Sequence, residues 1–311
     1  MNSHVLGELL FFAGYVSFAY AASALTGIAL RLNERWLNDM PAEAQSRVLL
    51  GAALIPALVF FSVFCGSVVH FLFSGPMNFC RSDEEVGGAP SVLLTGVLLL
   101  AGARAVTVLW RLAGSVRGQV GIRRRFPVRR VRQDGVAVTG GDLAMAFVTG
   151  VFSPKIYLTE RLVEKCAPDE LRFILAHEQS HVRRRDPLRR LLAALSGVLH
   201  LPLVAKWIEV RLERAQEASA DDCAARRERD RVRLAEIMVA FSKLQPVLPS
   251  PAFEFAEGNL EFRVRRLLCE PRLAGGPSSG ALLGIGAGLL ALALLSGQAM
   301  HWAAQAITRL P

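Results

Sequence analysis

The sequence predicts an α-helical membrane protein with four transmembrane helices and one α+β domain on the cytoplasmic side. Of its 311 residues, 52% are hydrophobic, although the chain also carries 36 lysines and arginines. Four long apolar runs each reach the length of about 20 residues that a helix needs to cross a bilayer. Between the third and fourth runs lie about 170 residues of mixed polarity, which is enough for one globular core.

The four apolar runs cover about residues 5–30, 48–73, 91–110 and 280–304. The first run is not expected to be a signal peptide, because it lacks a basic start and is too long. A buried core helix is the alternative for each run, but four uninterrupted runs of this length disfavour it. We therefore expect four spans, followed by a short tail at 305–311.

The arginines around the spans predict their orientation, because short cytoplasmic loops are enriched in positive charge. Three arginines lie between the first two spans, whereas the loop at 74–90 has one arginine against three acidic residues. Eight arginines follow the third span before Asp134, the first acidic residue there. The prediction is extracytoplasmic termini and a cytoplasmic domain at 111–279. Arg104, inside the third span, is expected to reach the interface along the helix, with a buried partner as the alternative.

The domain itself is expected to start with strands and to continue with helices. β-branched and alternating residues favour strands at 128–138, 146–150 and 155–158, with a turn at Gly140–Gly141. Helices are expected at 168–185 and at about 207–228, 229–244 and 259–269. This order of elements is typical of an α+β domain.

The segment 173–186 contains an H-E-x-x-H motif formed by His177, Glu178 and His181. On a helix, this spacing stacks the two histidines on one face, one turn apart. Two neutral imidazoles can then bind one Zn²⁺, while Glu178 takes a proton from a zinc-bound water. The motif predicts one zinc ion per chain and metal-assisted hydrolysis, most directly of a peptide bond. The alternative is a surface helix with two solvated histidines.

The flanks of the motif favour a packed helix. Pro168 suits the first helical position, and Asp169 and Glu170 suit the positive N-terminus of the helix. Pro187 disfavours helical geometry at Asp186 and is expected to end the helix there.

A third ligand is expected from a downstream E-x-x-x-D pair, Glu217 and Asp221. Catalytic zinc sites use three protein ligands and one open position, and two histidines with one glutamate are a standard set. Glu217 is the predicted third ligand. Asp221 is the predicted outer partner that accepts a hydrogen bond from His177 and fixes its tautomer. The competing candidates are Glu213, Asp222 and His200.

The apolar segment 191–205 lies between the two motifs and limits the topology. One membrane crossing there would put His181 and Glu217 on opposite sides, where they could not share a metal. Two crossings need about 40 residues plus a turn, but only 35 residues separate His181 from Glu217. The segment is therefore expected to be a helix–turn pair, broken near Pro202, that packs beneath the motif helix or dips into the membrane surface. His200 is expected to be a packed or capping residue.

Three stretches resemble the BlaR/MecR type of integral-membrane zinc metallopeptidase: SPKIYLTERL (153–162), DELRFILAHEQSHVRRRD (169–186) and EASADDCAA (217–225). Members of that family carry a P-x-I-Y-L-P segment, H-E-x-x-H followed by x-x-R-x-D, and a downstream E-x-x-x-D. The resemblance implies a zincin-like metallopeptidase domain of the gluzincin type, with His177, His181 and Glu217 as ligands and Glu178 as general base. It also implies a bacterial cytoplasmic membrane location. The best-known members have a large penicillin-binding sensor domain that these 311 residues do not contain, so beta-lactam sensing by that route is not expected.

The family analogy implies regulatory proteolysis, in which the substrate is a cytoplasmic protein such as a transcriptional repressor, or the chain itself. A housekeeping or quality-control membrane metalloprotease is one alternative. A non-proteolytic signalling or scaffold protein with a vestigial zinc site is another, which the intact ligand set disfavours. An edge strand near 154–159, including Lys155, Ile156 and Tyr157, is expected to hold extended substrate by β-augmentation. An ordinary core strand is the alternative there.

Direct nucleic-acid binding is not expected, despite a net charge of +9. The arginine run at 117–132 follows a span on the cytoplasmic side, where positive charge sets topology and contacts anionic lipid. The five cysteines are scattered, so neither a disulfide framework nor a cysteine zinc cluster is expected. Small residues in the last span allow close helix approach, either within the bundle or in a homodimer.

Overall fold

The computed structural model describes residues 3–74, 88–125, 127–131, 135–141, 143–226, 228–242 and 251–269. Within these residues, three helices are long and apolar enough to cross a membrane, over Phe12–Leu32, Ala42–Cys65 and Thr95–Gly114. They correspond to the first three predicted spans, and the second begins earlier in the chain than expected. The predicted fourth span at 280–304 and the tail at 305–311 lie outside the described residues.

Four helices form the N-terminal part of the chain: α1 (Ser3–Leu32), the short α2 (Glu34–Asn38), α3 (Ala42–Ser74) and α4 (Gly88–Arg125). Helix α1 packs against both α3 and α4. Aromatic rings join α1 to α3, where Phe12 meets Phe60 edge-on with ring centroids 5.8 Å apart. Helix α4 continues beyond its apolar part into the arginine-rich segment, so span and domain share one helix.

A four-stranded mixed sheet follows, made of β1 (Val128–Val131), β2 (Ala137–Thr139), β3 (Ala146–Thr149) and β4 (Lys155–Thr159). The strand order is β1-β2-β4-β3, in which β2 and β4 are parallel and the other pairs antiparallel. The prediction of one strand over 128–138 is wrong, because this stretch forms two antiparallel strands. Gly135 has a φ of +79° between them, a conformation that glycine adopts without strain.

Strand β4 is an interior strand, so the expected edge position near 154–159 is wrong. Strand β2 pairs with residues 157–159 of β4, and β3 pairs with residues 155–158. Alternating residues predict the strand but carry no information about its neighbours, which explains the error. Tyr157 stacks on Phe147 with ring centroids 5.4 Å apart. Ile156 and Leu158, on the opposite face, pack in a core cluster with side chains from the motif helix.

The remaining elements are helical: α5 (Glu160–Lys165), α6 (Pro168–Arg184), α7 (Asp186–Ser196), a 3-10 turn (Gly197–Leu199), α8 (Pro202–Ala224), α9 (Glu228–Ser242) and α10 (Pro251–Cys269). The four predicted helices are present as α6, α8, α9 and α10, although α8 and α10 begin earlier and α8 ends earlier than expected. The helix–turn pair expected at 191–205 is present as α7, the 3-10 turn and α8. Its break lies next to Pro202, the first residue of α8.

Helix α6 begins and ends where its flanking residues predict. Pro168 occupies the first turn, and the Glu170 carboxylate accepts a hydrogen bond from the Ala167 N–H at 3.0 Å. The helix ends at Arg184 because Arg185 adopts a left-handed φ of 53°. Helix α7 then starts at once, so Asp186 lies just beyond the motif helix and folds back towards it.

Candidate metal centre

Two packed helices carry the residues of the H-E-x-x-H and E-x-x-x-D motifs. Helix α6 carries His177, Glu178 and His181, and the C-terminal part of α8 carries Glu217 and Asp221. The i, i+4 spacing on α6 places the two imidazole rings 4.8 Å apart between centroids, edge to face. Both helices pack against each other, so the glutamate of α8 faces the histidine pair of α6.

His177, His181 and Glu217 form a group whose ligand atoms all lie within 4.8 Å of one another. The two histidine Nε2 atoms are 3.2 Å apart. The Glu217 carboxylate lies 3.4 Å from Nε2 of His177 and 3.6 Å from Nε2 of His181. Two ligand atoms of a tetrahedral zinc, each about 2.05 Å from the metal, are about 3.3 Å apart. The donor set and its spacing therefore fit one zinc ion.

Each histidine of the pair has its own carboxylate on the outer nitrogen. Nδ1 of His177 lies 3.0 Å from Oδ1 of Asp221, and Nδ1 of His181 lies 2.7 Å from Oδ2 of Asp186. When Nδ1–H donates to a carboxylate, Nε2 is left unprotonated and free to bind a metal. Asp221 therefore lies beside His177, the imidazole for which the sequence assigned it.

Asp186 is a site residue that the sequence reasoning missed. Only its effect on the end of the helix was considered, although R-x-D after H-E-x-x-H belongs to the family pattern. In the structure Asp186 is 1% exposed and its carboxylate also accepts from Arg184 at 2.9 Å. The buried Arg184 further donates to the Ser219 hydroxyl and the Gln216 carbonyl, which ties the end of α6 to α8.

Arg263 of α10 pairs with Asp221, as Arg184 pairs with Asp186. It donates two hydrogen bonds to the Asp221 carboxylate, at 2.6 and 2.8 Å, and lies 3.3 Å from Glu217. Arg190 of α7 reaches the other Glu217 oxygen at 3.0 Å. Each ligand histidine thus lies within hydrogen-bond distance of an aspartate, and each of these aspartates accepts a hydrogen bond from an arginine. Arg184 belongs to the R-x-D pattern after the motif, whereas spacing along the chain could not have indicated Arg263, which is far from both motifs.

The ionisation of the site follows from this arrangement. Burial lowers the pKa of His177, but the hydrogen bonds to Asp221 and Glu217 outweigh it and raise that pKa to about 9. Burial raises the pKa of Glu217, yet His177 and Arg263 together bring it well below the usual value. For Glu178, burial raises the pKa and the nearby histidines only partly oppose the increase. The site therefore combines an ionised ligand carboxylate with a carboxyl that binds protons more readily than usual.

The competing candidates for the third ligand lie outside the group of His177, His181 and Glu217. Within the described residues, the metal-competent group contains neither Glu213 nor Asp222 nor His200. Asp222 accepts a 2.5 Å hydrogen bond from Arg266. His200 lies at the far end of α8, where it contacts Ser23 and Ala53.

Replacing Asp186 with Asn is expected to weaken zinc binding by about 10- to 100-fold, because the outer carboxylate orients His181 and increases its basicity. Asp221→Asn is expected to act similarly through His177. The measurement is competition with a chromogenic zinc chelator on the purified full chain. Asp222→Asn is the matched control, because its carboxylate pairs with Arg266 instead of a histidine. Equal zinc affinities in all three variants would contradict the role of these carboxylates.

Comparison with known proteins yields one match. The family model described as "BlaR1 peptidase M56" matches residues 96–267, which include α5 to α9, the whole sheet and all the site residues discussed above. No curated protein and no solved structure matches the chain.

Proposed function

Because the chain belongs to the BlaR1 peptidase M56 family, we propose that it is a membrane-anchored zinc metalloendopeptidase that cleaves cytoplasmic proteins in regulatory proteolysis. Membership makes it a membrane-associated peptidase of the BlaR1 type. Dependence on zinc, cleavage within a chain and the regulatory role are the parts that we propose.

The observation that carries the proposal is the mutual spacing of His177, His181 and Glu217. Their facing atoms are 3.2 to 3.6 Å apart, which suits tetrahedral zinc. A vestigial site would have no reason to keep an aspartate on the outer nitrogen of each histidine. This double support favours a working metal site over a non-proteolytic scaffold.

When bound, zinc supplies Lewis-acid polarisation of the scissile carbonyl and lowers the pKa of water. Glu178 is the general base: its carboxylate takes a proton from the attacking water and later delivers it to the leaving amine. A raised pKa suits this double task, because a carboxyl whose pKa is closer to neutral pH accepts a proton more readily and can still return it. Asp221 and Asp186 hold the imidazoles of His177 and His181 in the ligand tautomer.

Strand β3 is the strand that we propose for extended substrate, in place of β4. Within the described part of the sheet, β3 pairs with β4 alone and lies at the end of the strand order. Its residues Ala146 and Val148 pack in the same core cluster as Leu171 and Ile174 of α6. A peptide added to β3 on the side away from β4 would lie beside the motif helix. Lys155, Ile156 and Tyr157 would then support that edge from the neighbouring strand.

The proposed substrate is a cytoplasmic protein, for example a transcriptional repressor, or the chain itself. Two features support a cytoplasmic site: the excess of arginine after the third span, and the short loop with acidic residues before it. The family's link with BlaR1 supports a regulatory substrate over bulk turnover.

The proposal is tested by comparing protein N-termini in cells that express the wild-type chain or its Glu178→Gln variant. We expect a small set of new N-termini in cytoplasmic proteins that depends on Glu178. A broad set from damaged or unassembled membrane proteins would support quality control instead. Identical N-termini in both cells would contradict a proteolytic function.

A further inference from the structure

The turn between α7 and α8 contacts all three candidate spans at the same depth. Ser23 of α1, Ala53 of α3 and Arg104 of α4 each bond to a residue of the segment 196–201. Along their helices, Ser23 lies eight residues before Arg31, Ala53 six residues after Arg47 and Arg104 seven residues before Arg111. Each contact is therefore about 9 to 12 Å from the basic residue at the end of its span that is expected to be cytoplasmic.

We propose that α7, the 3-10 turn and α8 form a re-entrant hairpin whose tip lies inside the hydrocarbon core of the bilayer and contacts lipid acyl chains. The tip is the segment 196–203. This differs from the two expectations of packing beneath α6 or dipping into the membrane surface, because the tip lies deeper in the membrane than the basic residues that flank the spans.

The hydrogen bonds of the tip are those that a non-helical turn at membrane depth needs. Irregular backbone is tolerated there only where protein groups satisfy it. The Gly197 carbonyl accepts from Arg104 at 2.7 Å, and the Leu201 N–H donates to the Ser23 hydroxyl at 2.9 Å. The Val198 carbonyl accepts from the Tyr20 hydroxyl at 3.4 Å. Three groups of the turn are thus satisfied by side chains of spanning helices.

His200 connects this tip to two of the spanning helices, α1 and α3. Its Nε2 lies 3.0 Å from the Ala53 carbonyl, which can only accept, so Nε2 carries the proton. Nδ1 then accepts from the Ser23 hydroxyl at 2.9 Å, and the ring is neutral. The Ser196 hydroxyl also donates to the Ala53 carbonyl. Pro56, one turn on in α3, lacks the N–H that would pair with Ala52, which loosens the helix where His200 docks.

Arg104 shows why a charge can lie within the third span. Its guanidinium donates to the carbonyl of Gly197, the residue that ends α7. The C-terminus of a helix carries partial negative charge, so the cation is stabilised there. The expectation that Arg104 reaches the interface is therefore wrong, and the buried partner is the correct alternative.

The outer face of the hairpin is apolar and exposed. Leu203 at the tip is 86% exposed, and Leu195 and Leu192 on α7 are 45% and 39% exposed. Exposed leucines at this depth suit acyl chains, since the hydrocarbon core contains no water. The side of α8 that faces the spans packs closely instead, with Val204 against Gly27 of α1.

The packing along α8 gives an independent estimate of the same depth. Ile208 packs with Ala52 and Ala53 of α3, whereas Arg211 donates to Asn38 at 2.6 Å in the connection between the first two spans. From Pro202 to Arg211 the helix rises about 14 Å, so the tip lies within the hydrocarbon core of about 30 Å when Arg211 is at the membrane surface. Glu217 lies about 9 Å further along the axis. The metal site would thus sit just outside the hydrocarbon, near substrate segments at the membrane surface.

The test measures the depth of α8 in the full chain reconstituted in lipid vesicles. With the five native cysteines replaced, a nitroxide label is attached to Leu203→Cys or to Arg214→Cys on the same helix. We expect collisions with a water-soluble nickel chelate to be lost at position 203 and kept at 214. Collisions with membrane-dissolved oxygen should show the opposite order. Nickel collisions of equal strength at both positions would overturn the proposal.

Two further measurements, on glycine variants of α1 and α3 and on the diazirine-labelled wild type, also test the position of the hairpin. Added to the Leu203→Cys chain, Gly27→Leu is expected to restore nickel collisions, because a Cβ at Gly27 would lie 2.7 Å from Val204. Gly51→Leu is the control, since nothing lies within 4 Å of a Cβ there. The wild-type chain is also labelled with a lipid-soluble diazirine. Label on residues 199–206 supports the hairpin, and its absence there contradicts it. None of these readouts depends on peptidase activity, so they stand apart from the proposed function.

Discussion

Replacing Glu178 with Gln is expected to lower the rate of peptide cleavage by about 10²- to 10⁴-fold, the usual contribution of a general acid–base group. Gln has nearly the same shape, but it cannot take a proton from the attacking water. Burial holds the pKa of Glu178 above its usual value, so the wild-type residue is a stronger base than an exposed glutamate. Initial rates at saturating zinc measure the effect.

The neighbouring Gln179 supplies the matched control for this variant. Its side chain is exposed on the same turn of α6, so Gln179→Ala should cleave at the wild-type rate. A rate for Glu178→Gln within a few-fold of wild type would remove Glu178 from the mechanism.

Replacing Glu217 with Gln is expected to lower zinc affinity by more than the about 10- to 100-fold that loss of an outer carboxylate costs. Its carboxylate lies 3.4 and 3.6 Å from the two histidine Nε2 atoms and is the anionic member of the ligand group. It also pairs with Arg190 and Arg263, so the variant leaves two arginines beside the metal position. Isothermal titration with zinc, or competition with a chelator, gives the affinity.

Glu213 lies one turn earlier on the same helix and provides the control for the ligand assignment. It was a competing candidate from the sequence, and it is outside the metal-competent group of the described residues. Glu213→Gln is therefore expected to bind zinc like the wild type. Weakened binding in Glu213→Gln together with normal binding in Glu217→Gln would reverse the assignment.

The parts of the account that sequence could supply depend on spacing within single helices. The i, i+4 spacing of His177 and His181 determines that they share a face in any helix. The downstream E-x-x-x-D pair then needed only one condition, that no membrane crossing separates it from the histidines. This condition also predicted the helix–turn pair before Pro202. Such features follow from local geometry and from chain length, so they need no knowledge of the tertiary fold.

The parts that sequence could not supply depend on contacts between distant segments. The order of the strands, which places β4 inside the sheet, depends on pairings that period-two alternation does not encode. Arg263 reaches Asp221 from a helix more than 40 positions later. The partner of Arg104 is a carbonyl in a turn 93 positions away. Arginines are abundant in this chain, so nothing local distinguishes these two from the others.

The role of Asp186 was only partly predictable from the sequence. Its sequence signal was present as part of R-x-D after the motif, but its position beyond the helix end suggested only a terminating role. The left-handed backbone at Arg185 reverses that expectation, because it turns Asp186 back to Nδ1 of His181. Residues just past the end of a metal-binding helix can therefore belong to the site.

The central claim is that His177, His181 and Glu217 hold a zinc ion whose hydrolytic use depends on Glu178. The most direct measurement is bound zinc and peptide cleavage on the same purified samples of the full chain, wild type beside Glu178→Gln. The account predicts one zinc per chain in both samples and cleavage in the wild type alone. Equal cleavage by both samples, or cleavage by a wild-type sample that contains no zinc, would contradict it.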